Sequence, residues 1–108
     1  MSSNLSIEAS NQINECAETS PYPNMLINLQ ASMTTEEKIG QMSQFFSHGE
    51  YISEHLAESI RRGRVGSVLN EVRLHTVNEL QRLAVEESRL GIPLLVGRDV
   101  IHGFNTIF

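Results

Sequence analysis

The segment GRDVIHG, residues 97–103, sets a guanidinium, a carboxylate and an imidazole within five positions and brackets them with two glycines. Asp99 can accept hydrogen bonds or ligate a cation, and His102, three residues on, can exchange a proton or ligate beside it. Arg98 can clamp a carboxylate or phosphate or pair with a neighbouring acid. Structural alternatives carry more weight at this level. Asp99 fits a helix cap, a salt bridge to Arg98 or a solvated loop acid, and a single Asp-x-x-His is a weak metal motif. Gly97 and Gly103 allow sharp turns or close backbone approach. A second polar pair, Asn70 and Glu71, closes an earlier apolar stretch in the same manner.

Both clusters depend on the elements that carry them. Before Arg98 runs Leu94-Leu95-Val96, the continuous apolar pattern expected of a parallel strand covered on both faces, with Pro93 at its start. Before Asn70 runs RVGSVL, a short strand with Val65, Val68 and Leu69 as its buried residues. Between them TVNELQRLAVEESRL reads as a helix with Thr76 and Glu79 as a capping box. Val77, Leu80, Leu83, Ala84 and Leu90 form its buried side, Glu86 and Arg89 an i, i+3 pair, and Gly91 its stop. Strand, helix and strand over about 35 residues make one βαβ unit, so the chain reads as α/β. Ligands in parallel α/β architectures bind beyond the carboxyl ends of the strands, where both polar clusters fall.

Upstream, Thr34 and Glu37 form another capping box, opening a helix whose Ile39, Met42, Phe45 and Phe46 make one buried stripe. YISEHLAESIRR repeats the pattern with Ile52, Leu56 and Ile60, ends on Arg61 and Arg62 and stops at Gly63. His48 and His55 read as solvated surface residues. Residues 1–24 are rich in Ser, Asn and Glu and contain Pro21 and Pro23, which predicts a flexible leader before an ordered segment at 25–108.

Composition narrows the partners. A net charge of −5 over 108 residues and a pI near 5.3 give nucleic acid no electrostatic purchase. Cys16 stands alone, which rules out an internal disulfide and a thiolate zinc centre. Neither a secretory leader nor an apolar run of membrane-spanning length is visible, so the sequence predicts no membrane partner and, by default, the cytoplasm, with a periplasmic or secreted location open if a leader has been removed.

Three segments taken together, SMTTEEKIGQM, RVGSVLNEV and NELQRLAVEESRLGIPLLVGRDVIHGF followed by TIF, resemble in order and spacing the N-terminal portion of glycoside hydrolase family 3, the bacterial β-glucosidase type. The likeness covers residues 26–108. It implies the N-terminal part of a TIM-type (β/α)8 barrel, incomplete in this chain, from an enzyme that hydrolyses terminal β-linked glucosides with retention of configuration and needs no cofactor or metal. It implies for Asp99 a grip on sugar hydroxyls next to the cleaved bond, and for His102 and Gly103 a part in shaping the loop; Arg98 keeps an open role. The implied partner is a β-glucoside or oligosaccharide. Retention takes two carboxyl groups about 5 to 5.5 Å apart, and the family's nucleophile lies in a Ser-Asp-Trp type motif. This sequence has no Trp, and its one lysine, Lys38, precedes Ile39 rather than the histidine of the family's sugar-binding Lys-His pair. The reading is therefore of a piece without the catalytic pair, inactive alone, whose unpaired strand edges could mediate self-association.

Overall fold

In the computed structural model, residues 22–47, 50–101 and 103 are described, and the chain divides into two units, residues 1–34 and 35–108. The first unit contains helix α1, Pro23–Ser32. It begins inside the segment expected as a leader, because a proline at the first helical position loses only an amide that has no partner there anyway. Residues 1–21, most of that expected leader, lie outside the described set.

The second unit runs α2 (Thr35–Gln41), β1 (Gln44–Phe46), α3 (Glu54–Arg61), β2 (Ser67–Leu69), α4 (Leu74–Arg82) and β3 (Leu95–Gly97). A five-residue π-helical turn, Leu83–Glu87, prolongs α4. The strands form one parallel sheet in the order β1-β2-β3. This confirms the α/β class and adds a strand: Phe45 and Phe46, read as a continuing helical stripe, belong to β1. Ile39 and Met42 are exposed rather than buried.

Register decides which face does what. Phe45, Val68 and Val96 lie side by side across the sheet. Val68 is fully buried in a cluster with Leu56, Ala57 and Ile60 of α3, and with Leu80, Leu83 and Ala84 of α4 and its π-turn. Phe45 packs against the same cluster. The residues of alternate position, Phe46 and Leu95, are 61% and 75% exposed. The expectation that β3 is covered on both faces thus fails: successive side chains point to opposite faces, Leu95 lies on the face away from Val68, and Val96, beside Val68 at the edge of the sheet, is exposed as well. Leu94 enters β3 through Gln81 of α4, whose Nε2 donates to the Leu94 carbonyl at 2.7 Å and whose Oε1 accepts from the Leu94 amide at 2.9 Å. The side chain of Gln81 thereby does the work of a neighbouring strand.

Helix α3 follows its sequence closely. Ser53 Oγ accepts from the Leu56 amide at 3.2 Å, Leu56 and Ile60 are buried, and Gly63 takes a left-handed φ of 70° after the last turn. Against that turn rests α2, with a Cβ on Gly40 falling 2.0 Å from the Gly63 carbonyl oxygen. Glu37 of α2 is buried, and its carboxylate receives Arg89 Nε at 2.9 Å and Nη2 at 2.5 Å, so the pairing of Arg89 with Glu86 expected from helical spacing gives way to a partner 52 residues distant. On the outer surface Arg61 joins Glu87 at 2.6 Å, and Arg82 joins Glu79 and Glu87, each at 2.7 Å. These partly exposed pairs contribute little individually.

Helix α4 starts at Leu74, with Arg73 as its N-cap residue, so Thr76 is not the cap. The Glu71 carboxylate gathers the amides of Val72 and Arg73, both at 2.9 Å, and turns the chain into the helix early. Thr76 is left buried in the first turn, its Oγ1 without a hydrogen-bond partner among the described residues. Thr76→Val, which replaces that hydroxyl by a methyl of similar size, is expected to raise stability by about 1 kcal/mol, read as an upward shift of the urea midpoint at constant m-value.

Candidate functional site

The carboxyl ends of the three strands lie in one row because the strands are parallel and paired in register, Phe46 to Leu69 and Leu69 to Gly97. The next residues carry the polar groups. Ser47 follows β1, Asn70 and Glu71 follow β2, and Arg98 and Asp99 follow β3.

Glu71 is 3% exposed and organises the first two ends. Besides the two amides at the head of α4, its carboxylate accepts from Arg73 Nε at 3.1 Å and Nη2 at 3.0 Å. Ser47 Oγ donates to its second oxygen at 3.1 Å, and the Ser47 amide donates to the Leu69 carbonyl at 3.3 Å. The Arg73 guanidinium, the Arg73 and Val72 amides and the Ser47 hydroxyl hold the Glu71 carboxyl down at about 2, against an opposing desolvation cost. A carboxylate this fully engaged is a fixed anion rather than a proton carrier.

Asn70 joins the second and third ends. Its φ of 68° puts it in the left-handed region, which asparagine tolerates better than most residues. In that conformation its amide donates to the Gly97 carbonyl at 2.8 Å, while its side-chain Oδ1 accepts from the Asp99 amide at 2.9 Å. One residue therefore holds the backbone on both sides of Arg98.

Asp99 itself is exposed, and among the described residues no hydrogen bond or ion pair engages its carboxylate. Neither the salt bridge to Arg98 nor the helix cap weighed from the sequence takes it up. Arg98 is exposed beside it, and Gly103 is exposed with a φ of 90°. His102 lies outside the described residues, as does His48; His55 is exposed on α3. The described residues contain no cluster of three or more metal-ligating side chains. No helix among them is long and apolar enough to cross a membrane.

The arrangement is a row of strand ends, two of them tied together through a buried carboxylate and the third presenting an open one. Such a carboxylate can accept two hydroxyl protons at once. Sequence position located Asn70, Glu71 and Asp99; their division of labour, two to hold and one to present, depends on contacts across 24 and 29 residues that no local pattern encodes.

Known proteins carry the same segment. The profile of the Glycosyl hydrolase family 3 N terminal domain matches residues 34–108. The chain belongs to glycoside hydrolase family 3. A periplasmic beta-glucosidase of Salmonella typhimurium is 36% identical over 81 residues, 75% of this chain and 11% of that protein. A lysosomal beta glucosidase of Dictyostelium discoideum is 27% identical over 103 residues, 74% of this chain and 12% of that protein. The chain thus spans about a ninth of the length of these two relatives. Its parallel sheet, with a helix between each pair of successive strands, lies wholly within the matched residues.

Proposed function

We propose that residues 25–108 form the first helices and strands of a (β/α)8-type barrel in a retaining glycoside hydrolase of the β-glucosidase type, and that Asp99 accepts hydroxyl protons of the sugar beside the cleaved bond. The observation that carries this reading is the uncommitted carboxylate of Asp99, presented at the carboxyl end of a parallel strand in a family 3 segment. An ionised acid there grips two hydroxyls through charge-assisted bonds. Bonds that strengthen as the ring flattens toward an oxocarbenium-like state lower the barrier as well as the dissociation constant. Nucleophile and acid/base are supplied from outside these 108 residues, so the chain alone does not turn over an aryl β-glucoside. On the same reading His102 and Gly103 take part in shaping the loop beside the sugar, while the role of Arg98 stays open.

The test uses a hybrid in which residues 34–108 replace the matching segment of the Salmonella relative, assayed with 4-nitrophenyl β-D-glucoside. Asp99→Ala is expected to lower kcat/KM about 100-fold, the value of one or two lost charge-assisted hydrogen bonds in the transition state. Unchanged kcat/KM would remove Asp99 from the sugar site. The relative's periplasmic location competes with the cytoplasmic default of the sequence for this chain, and fractionation of cells expressing it distinguishes the two.

A second reading, self-association through strand edges, is favoured by the exposure of Leu95 and Phe46 on the edge strands β3 and β1. Sedimentation velocity of the chain across a concentration series would show a growing dimer if it holds and a constant monomer if it does not.

A further inference from the structure

Resting on the reading of Asp99 as the sugar acceptor, we propose that Asn70 is its positioning residue, acting through the hydrogen bond from the Asp99 amide to Asn70 Oδ1. Asp99 lies two residues beyond the last residue of β3, where ladder pairing has ended. Among the described residues its carboxylate has no partner, so what they contribute to the direction of the side chain is the placement of its backbone. Asn70 holds that backbone at two points. The Asn70 amide takes the Gly97 carbonyl at 2.8 Å and Asn70 Oδ1 takes the Asp99 amide at 2.9 Å, pinning the chain on both sides of Arg98.

The residue type follows from two demands made at once. The backbone of Asn70 must sit at a φ of 68°, and an acceptor must reach across to the neighbouring strand end. Glycine meets the first demand and not the second; alanine meets neither; aspartate and asparagine meet both. Glu71, the next residue, anchors this turn from the other side through the head of α4, so the Asn70 conformation is held by two elements rather than by one flexible loop.

The substitutions separate this role from a merely structural one. In the 108-residue chain, amide hydrogen exchange followed by NMR should show the Asp99 amide protected in the wild type and in Asn70→Asp. In Asn70→Gly it should exchange at least about 10-fold faster while the core amides of Val68 and Leu80 keep their protection. An Asp99 amide that exchanges as fast in the wild type as in Asn70→Gly overturns the proposal. In the hybrid enzyme, Asn70→Gly should lower kcat/KM about 10-fold and Asn70→Asp should restore most of it. If Gly performs as well as Asn, the residue serves the turn and not Asp99, and this inference fails while the sugar-binding reading stands. If Asp99→Ala leaves kcat/KM unchanged, it is the sugar-binding reading that fails.

Discussion

Gly40→Ala is expected to destabilise the second unit by about 3 kcal/mol or more, a large fraction of the total stability of an ordinary domain. Two effects oppose each other at this position. Alanine in a helix interior gains about 1 kcal/mol over glycine, and α2 is a helix. Against that, the added methyl would lie 2.0 Å from the Gly63 carbonyl oxygen, 2.7 Å from Arg64 Cα and 2.9 Å from the Arg64 carbonyl carbon. These are backbone atoms, and they belong to the left-handed turn that stops α3, so they cannot swing aside as a side-chain tip would. Moving α2 outward would also pull Glu37 from Arg89. The clash wins. Circular dichroism with urea titration would register the loss; a midpoint equal to or above that of the wild type would show that α2 does not pack as closely as described. Gly66 offers the same test at a second contact, with its added methyl 2.2 Å from the Gln41 carbonyl oxygen.

The second large effect belongs to Glu71. Glu71→Ala removes the acceptor for two amides, a guanidinium and a buried hydroxyl in one step, and is expected to cost about 3 kcal/mol. The amides of Val72 and Arg73 would be left without their partner at the head of α4. Glu71→Gln keeps one carbonyl acceptor and loses the charge, for about half that cost. The ionised form also sets a pH signature. Its carboxyl titrates near 2 in the folded chain against an ordinary 4.5, so the folded state favours the deprotonated form. Its stabilisation is complete above about pH 4.5 and is lost as pH falls from there toward 2. Urea midpoints measured between pH 6 and pH 2 should fall for the wild type across that window. The corresponding slope should be smaller in Glu71→Gln, and equal slopes would mean that Glu71 is not the group responsible.

Local patterns revealed the elements whose residues repeat at a clean period. Ile52, Leu56 and Ile60 marked α3, and the apolar runs before Asn70 and Arg98 marked β2 and β3. They failed at β1, because Phe45 and Phe46 continue the helical spacing of Ile39 and Met42 and no glycine or proline separates Met42 from Gln44. A strand of three residues owes its existence to pairing with β2, which is a property of two segments and not of one. The start of α4 was misplaced for a similar reason. Thr76 and Glu79 satisfy the capping-box spacing, yet Glu71 had already gathered the upstream amides. At the candidate site the rule that parallel sheets bind ligands at the carboxyl ends of their strands led to the strand ends without showing which acid was held and which was open. Glu71 and Asp99 are both acids just past a strand end. What separates them is the reach of Ser47 and Arg73 to the one, and the absence of any such contact among the described residues for the other.

In the sheet, spatial order equals chain order: β1, then β2, then β3. Each strand therefore docks on the one synthesised just before it, and no strand waits for a later segment to be inserted between it and its predecessor. Each pairing closes a loop of only one crossover, from Gln44 to Ser67 and from Ser67 to Leu95, which limits the closure entropy of a topology that is otherwise slow to form. The sheet can then be assembled in the direction of translation, with β1 and β2 paired while β3 is still being added. For a nascent chain leaving the ribosome, this topology offers growth by addition at one edge, and it exposes only that advancing edge and the first strand's outer edge to mispairing at any moment.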